Sequence, residues 1–200
     1  IVDGLKNSKF AQSQIATIMA CGFKLRSYRF DKYQTKAKKG EKLKTLEIVT
    51  WHFSESSKFF ETMKPVLNAI FTTRDLISEP SNKLYPEEYA NRCKELTKYG
   101  LEIDILDENK MSELGMNALL GVGKGSDNPS RLVVLKWNGL DKSTAPVALV
   151  GKGVTFDTGG ISLKPAKNME DMKYDMGGSA VVVGVMQSLA ERKAKVNAVG

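Results

Sequence analysis

The sequence predicts an α/β fold, and three observations carry that reading. From residue 80 onward, strand and helix patterns alternate. Val147-Ala148-Leu149-Val150 is a short, wholly apolar run, the pattern of a central strand covered on both faces. A long apolar-periodic helix between residues 54 and 78 connects this body to an earlier one.

Taken in order, residues 8–23 set Phe10, Ala11, Ile15, Ile18, Met19 and Gly22 on one helical face. Phe23 to Phe30 alternates as a strand. Leu46 to Trp51 reads as another, after a lysine-rich stretch. Ser54 to Ser57 can cap the connecting helix, which carries Phe59, Phe60, Met63, Val66, Leu67, Ile70 and Phe71. Pro65 inside it predicts a kink or a restart. Pro86 starts a helix with Tyr89, Cys93 and Leu96 on one face. Leu101 to Ile105 alternates as a strand, and Asp107 caps a helix through Met111, Leu114 and Leu119. A glycine-rich loop from Gly121 to Ser130 leads to a strand over 131–137, and Asn138-Gly139 turns the chain. Gly177 to Ala190 is a helix, and the final Val-Asn-Ala-Val reads as a strand. The chain begins without Met and stops inside that strand, so a piece of a longer protein is expected.

Composition limits the chemistry. The 200 residues are 42% hydrophobic and 26% charged, which excludes wholesale disorder. The two cysteines, Cys21 and Cys93, build neither a disulfide framework nor a zinc ribbon, and a reducing, cytoplasmic setting fits them. His52 is the single histidine, which removes every site needing two imidazoles. No apolar run approaches membrane-spanning length, so no membrane partner is expected. The net charge is +7, with Lys32, Lys36, Lys38, Lys39, Lys42 and Lys44 clustered in one stretch. Such a run reads as a solvated edge. As a DNA footprint it lacks arginines and stacking aromatics, so DNA binding stays open without support. Two glycine-rich segments resemble phosphate loops and fail the spacing. Ala118 and Pro146 stand where the first glycine is required, Gly125 follows Lys124 where Ser or Thr is needed, and Val154 in the second segment does not ligate Mg²⁺.

The chemistry is concentrated between Val150 and Gly178. Lys152 stands just past the carboxyl end of the apolar strand, where open α/β sheets bind ligands. Asp157, Lys164 and Asp175 follow among glycines that let backbone approach a ligand. Phe156 and Met176 flank the two aspartates, so both are expected to be buried. Buried carboxylates near each other repel unless a cation lies between them. Either two structural ion pairs, Lys152–Asp157 and Lys164–Asp175, or a divalent metal answers that repulsion.

The run from Gly151 to Lys164, with Met172 to Gly178, closely resembles the metal- and lysine-bearing motif of the leucyl (cytosol) aminopeptidase family. Arg74-Asp75-Leu76, Pro80-Ser81-Asn82, Pro86, Gly121 to Ser126 and Leu132 to Trp137 fit the same pattern. Tyr28 to Tyr33 resembles the end of the family's amino-terminal domain. The resemblance implies that residues 1–53 end that first domain, 54–78 form a linker helix, and 79–200 open a peptidase domain with a central mixed sheet. It implies an exopeptidase that removes the amino-terminal residue, Leu among others, from peptides, using two divalent metals, Mn or Zn.

By resemblance, Lys152 ligates one metal as a neutral amine, so its pKa must fall well below the usual value of about 10.4. Asp157 bridges both metals and Asp175 shares the metal of Lys152. Lys164 is the catalytic lysine, which stays charged and faces the substrate carbonyl. Met172 lines the substrate-binding pocket for the first side chain. A hexameric homo-oligomer in the cytoplasm is also implied. The family's later Asp-Ala-Glu-Gly-Arg motif, with two further carboxylates and an arginine, does not occur in these residues. The 200 residues alone are therefore expected to be inactive.

Overall fold

A computed structural model describes residues 9–36 and 45–200. The chain divides into two compact units, Ile1–Phe71 and Thr72–Gly200. Helix α1 spans Gln12–Arg26, and its buried residues are Ser13, Ala16, Thr17 and Cys21. They lie three and four apart, so they share a face. It is not the face expected, because Phe10, Ile18 and Met19 are exposed. Small side chains let neighbouring backbone come close. Thr17 Oγ1 donates to the carbonyl of Ser56 at 2.9 Å.

The two strands expected in this unit are absent among the described residues. Phe23 to Arg26 continue α1, because Phe-Lys-Leu-Arg contains no breaker and Lys24 and Arg26 favour a helix carboxyl end. Residues 46–50 are irregular, and no described strand pairs with them. In the lysine-rich stretch, Lys38, Lys39, Lys42 and Lys44 lie outside the described residues. Lys32 rests over the Tyr33 ring at 5.4 Å.

Helix α2 runs Phe53–Ser78 without ending at Pro65, so the expected restart does not occur. In the second unit, Pro86 occupies the first turn of α3, Pro86–Lys94, where its missing N–H costs nothing. A 3-10 turn, Glu95–Tyr99, follows and closes at Gly100. Tyr89, Cys93 and Leu96 are buried together, as their spacing predicts. Strand β1 is Glu102–Leu106. The Asp107 side chain accepts from the Lys110 N–H at 2.8 Å and caps α4, Glu108–Glu113.

The helix expected to run on through Leu119 is broken at Gly115, whose φ is +71°, and resumes as α5, Asn117–Gly123. Gly121 to Gly123 thus belong to a helix and not to the expected loop. Strand β2, Leu132–Asn138, leads to a short β3, Val147–Ala148. A 3-10 helix, Met169–Met176, precedes α6, Gly177–Glu191, and β4 is Asn197–Val199.

The sheet order is β1-β2-β4-β3. The β1–β2 and β2–β4 pairs are antiparallel and β3–β4 is parallel, so the sheet is mixed, as expected. The apolar β3 is not central among the described strands. It pairs only with β4, and Val147 and Val150 are 54% and 96% exposed. Apolar content marks a strand that avoids water, but it does not say which edge has a partner. The core joins Leu76, Leu84, Tyr89, Leu101, Leu135, Met176, Val183 and Met186, so α2, α3, α6 and the sheet close on one apolar centre. Asn197 is buried and pins the loop into β3. Its Oδ1 accepts from the Leu140 N–H, and its Nδ2 donates to the carbonyls of Asp141 and Thr144.

The end of α2 is tied to α3 by charge. Glu79 is 3% exposed, and Arg92 donates to it at 2.9 Å and to Glu88 at 2.8 Å. Replacing Arg92 with Ala takes its charged partner at 2.9 Å from a buried carboxylate, which costs about 3 kcal/mol. Urea denaturation of Arg92→Ala should show that loss, with Arg92→Lys in between. A loss below about 1 kcal/mol, the range of an exposed pair, would contradict the assignment.

Candidate active site

Two backbone segments are brought edge to edge by the absence of a side chain. A Cβ on Gly151 would lie 2.5 Å from the Gly178 carbonyl oxygen and 2.6 Å from Ser179 Cα. Real Cβ atoms do not approach so closely, so the stretch after β3 can pass the first turn of α6 only as glycine. The contact is sealed by the Ser179 N–H, which donates to the Lys152 carbonyl at 2.9 Å. Lys152 is thereby fixed beside the 3-10 helix that carries Asp175.

The loop from Thr158 to Lys164 is closed by the Lys164 N–H donating to the Thr158 carbonyl at 2.9 Å. Gly159 makes this loop possible. Its φ is +97°, a region that favours glycine, and a Cβ there would strike the Ser162 carbonyl. The Gly159 N–H donates to Asp157 Oδ1 at 2.9 Å and orients that carboxylate. Asn168, at φ +63°, then turns the chain into the 3-10 helix. Residues three apart in such a helix lie one above the other. Met172 and Asp175 therefore face the same way, toward Lys164.

The four charged residues singled out by sequence meet. Lys152 Nζ is 3.7 Å from Asp157 Oδ2 and 3.5 Å from Asp175 Oδ2. Lys164 Nζ is 3.1 Å from Asp157 Oδ2 and 3.5 Å from Asp175 Oδ2. Each lysine thus faces both carboxylates, and the two separate ion pairs considered from sequence are not what forms. Nor are the aspartates fully buried. Both side chains remain 27% exposed, against 55% for Lys152 and 35% for Lys164. Lys164 Nζ also donates to Met172 Sδ at 3.0 Å, which joins all five site residues.

The electrostatics follow from these contacts. The Gly159 N–H first, and the Lys164 ammonium second, hold the Asp157 carboxyl down at about 2. Asp157, and then Asp175, hold the Lys164 ammonium protonated above its usual range.

The donor set fits a divalent cation. Asp175 Oδ2 is buried with no hydrogen-bond partner, although both lysine ammoniums stand 3.5 Å away. A buried carboxylate oxygen left so is costly unless a cation takes it. Asp157 commits Oδ1 to the Gly159 N–H and turns Oδ2 to the same centre. Two carboxylates and one amine are a donor set that a divalent ion can accept. Among the described residues, no group of three or more His, Cys, Asp or Glu is placed to hold a metal ion.

Sequence reasoning passed over Ser179. Its signal was its place after Gly177-Gly178, at the point where a helix begins beside a ligand-bearing segment.

The family model described as the cytosol aminopeptidase family, catalytic domain, matches residues 71–200. The chain belongs to the cytosol aminopeptidase family. Among curated relatives, a probable cytosol aminopeptidase of Nitrobacter winogradskyi is 50% identical over 192 residues, 94% of this chain and 38% of that protein. Another, of Wolbachia pipientis, is 54% identical over 191 residues, covering 92% and 38%. Among solved structures, the bottromycin maturation enzyme BotP in complex with Mn has a TM-score of 0.83 at 33% identity, over 98% of this chain and 40% of that one. The cytosol aminopeptidase from Coxiella burnetii has a TM-score of 0.80 at 29% identity, over 95% and 39%. The chain spans about two fifths of the length of the curated relatives it matches.

The glycine contact gives a test. Gly151→Ala should destabilise the chain by about 2 kcal/mol or more, because the obstructing atoms are backbone. Gly160→Ala, with nothing within 4 Å of its Cβ, should stay within about 0.5 kcal/mol of the parent in the same denaturation experiment. Equal effects would mean that the close approach does not constrain the site.

Proposed function

We propose that the full-length protein is a metal-dependent aminopeptidase that removes the amino-terminal residue, Leu among others, from peptides. The convergence of Lys152, Asp157, Lys164 and Asp175 on one centre carries this reading. Family membership and the Mn in the BotP structure support it.

Lys152, Asp157 and Asp175 would hold two divalent metals, Mn or Zn, with Asp157 shared between them. When bound, such ions activate water and polarise the carbonyl of the scissile bond. Lys152 must release a proton to ligate, since an ammonium has no lone pair. Lys164 does the opposite work. Its contact with Asp157 keeps it charged, and from there it donates to the substrate carbonyl and to the oxyanion that develops. Met172, on the same face of the 3-10 helix as Asp175, lines the pocket for the first side chain. The reading includes a homo-oligomer, hexameric by family resemblance. Its cytoplasmic setting is supported by the relatives' names and by two free, buried cysteines.

Removing a ligand and removing an oxyanion donor have different signatures. In the full-length protein Lys164→Ala should keep its metal and its KM within a few-fold and lose kcat by about 10²–10³. Lys152→Ala should lose metal, with partial recovery at high added metal. Metal content beside kcat and KM on Leu-p-nitroanilide checks both. If Lys164→Ala loses metal as Lys152→Ala does, Lys164 is a ligand or a structural partner.

The shared carboxylate has its own test. Asp157→Asn should lose more metal after dialysis than Asp175→Asn, and equal losses would remove the bridging role. Residues 1–200 expressed alone should not turn over Leu-p-nitroanilide with added Mn²⁺, and robust turnover would show that these residues suffice.

A further inference from the structure

Behind the four charges stands a polar pair that touches none of them. Tyr89, on α3, is 7% exposed, and its hydroxyl lies 2.9 Å from Ser179 Oγ. Ser179 Oγ is 2.8 Å from the Met176 carbonyl, to which it donates. A serine hydroxyl has one hydrogen, and the carbonyl takes it. The hydrogen between Tyr89 and Ser179 must therefore come from Tyr89. This direction makes a relay: Tyr89 donates to Ser179, and Ser179 donates to the residue after Asp175. The Ser179 N–H meanwhile donates to the Lys152 carbonyl at 2.9 Å. Ser179 thus touches both segments that bear the proposed metal donors, by its hydroxyl on one and its main-chain N–H on the other, and one buried phenol sets the hydroxyl's rotamer.

We infer that Tyr89 and the Ser179 hydroxyl position Asp175, by holding the residue after it to the first turn of α6, the turn whose main chain also holds Lys152. Several features favour this over a general packing role. The apolar core already includes the Tyr89 ring, so the hydroxyl is not needed to fill space. Burying that hydroxyl against Ser179 demands a partner, and the structure supplies it at the junction of the two donor segments. Gly153 faces the same serine, since a Cβ there would lie 3.4 Å from Ser179 Oγ, so the pair also abuts the residue after Lys152. No other route on α3 leads to the charged cluster through hydrogen bonds among those described.

The inference rests on the metal-site reading above. Its test measures Mn²⁺ affinity of the full-length protein by calorimetric titration, together with the urea midpoint of the metal-free chain. Lys152→Ala, Tyr89→Phe, Ser179→Ala and the double variant are compared. Outer-shell partners of metal donors are typically worth 10–100-fold in affinity or activity. Tyr89→Phe should therefore weaken Mn²⁺ binding by about tenfold while the urea midpoint hardly moves, because the ring is kept. Ser179→Ala should weaken binding at least as much. The double variant should match Ser179→Ala alone, since both act along one path. If Lys152→Ala weakens Mn²⁺ binding and Tyr89→Phe does not, the positioning role is overturned and the metal site stands. If Lys152→Ala leaves Mn²⁺ binding unchanged, the metal-site reading fails and this inference with it. A Tyr89→Phe chain that unfolds, or effects that multiply in the double variant, would make the pair structural and overturn the inference.

Discussion

Everything at the candidate site depends on one close approach of backbone to backbone. Gly151 passes so near the first turn of α6 that no side chain fits between. The hydrogen bond from Ser179 to Lys152 then fixes the height at which the two segments meet. Without that contact Lys152 would sit on a loop after a two-residue strand, with little to hold it. With it, a lysine on one segment and an aspartate on another share a frame defined by main-chain atoms, which move less than side chains do.

On that frame the charges form a closed set of two ammoniums and two carboxylates. Such a set is neutral, so it does not repel itself, but it is poorly satisfied. The contacts are 3.1 to 3.7 Å, and Asp175 Oδ2 lacks any hydrogen bond. A structural ion-pair network would be expected to close these gaps, since partly buried charges repay their lost hydration only through good geometry. Loose contacts around an unsatisfied carboxylate support the proposal that a divalent cation is its strongest partner. The two lysines differ within it. Lys164 is bound into the net by Asp157 at 3.1 Å and by the Met172 sulfur, whereas Lys152 stands farther off and more open.

Much of the second unit was legible in the sequence because its signals were local. Pro86 and Asp107 mark helix starts by a missing donor and a side-chain acceptor, and both do so in the structure. The spacing of Tyr89, Cys93 and Leu96 reports a buried face directly. The failures share one cause, which is that the deciding partner lies elsewhere. Phe23–Phe30 and Leu46–Trp51 alternate as strands do, yet a strand exists only where another strand meets it. Val147–Val150 is apolar enough for a central strand, but among the described strands it pairs on one side alone. At the site, the meeting of Lys152, Asp157, Lys164 and Asp175 could be anticipated from their glycine-rich setting. The crossing of their contacts could not, because it needs the left-handed turn at Asn168 and the 3-10 geometry that aims Met172 and Asp175 together.

The pairing of β3 also orders events in time. Among the described strands β3 pairs with β4, and the whole of α6 is made between them. As the chain leaves the ribosome, β1 and β2 can pair early, since both are complete and antiparallel. β3 must wait until β4 emerges, and Lys152, just beyond β3, waits with it. Non-local parallel pairing is slow, and waiting strands are open to wrong partners. Lys152 can therefore take its place against the sheet only after β4 has been made.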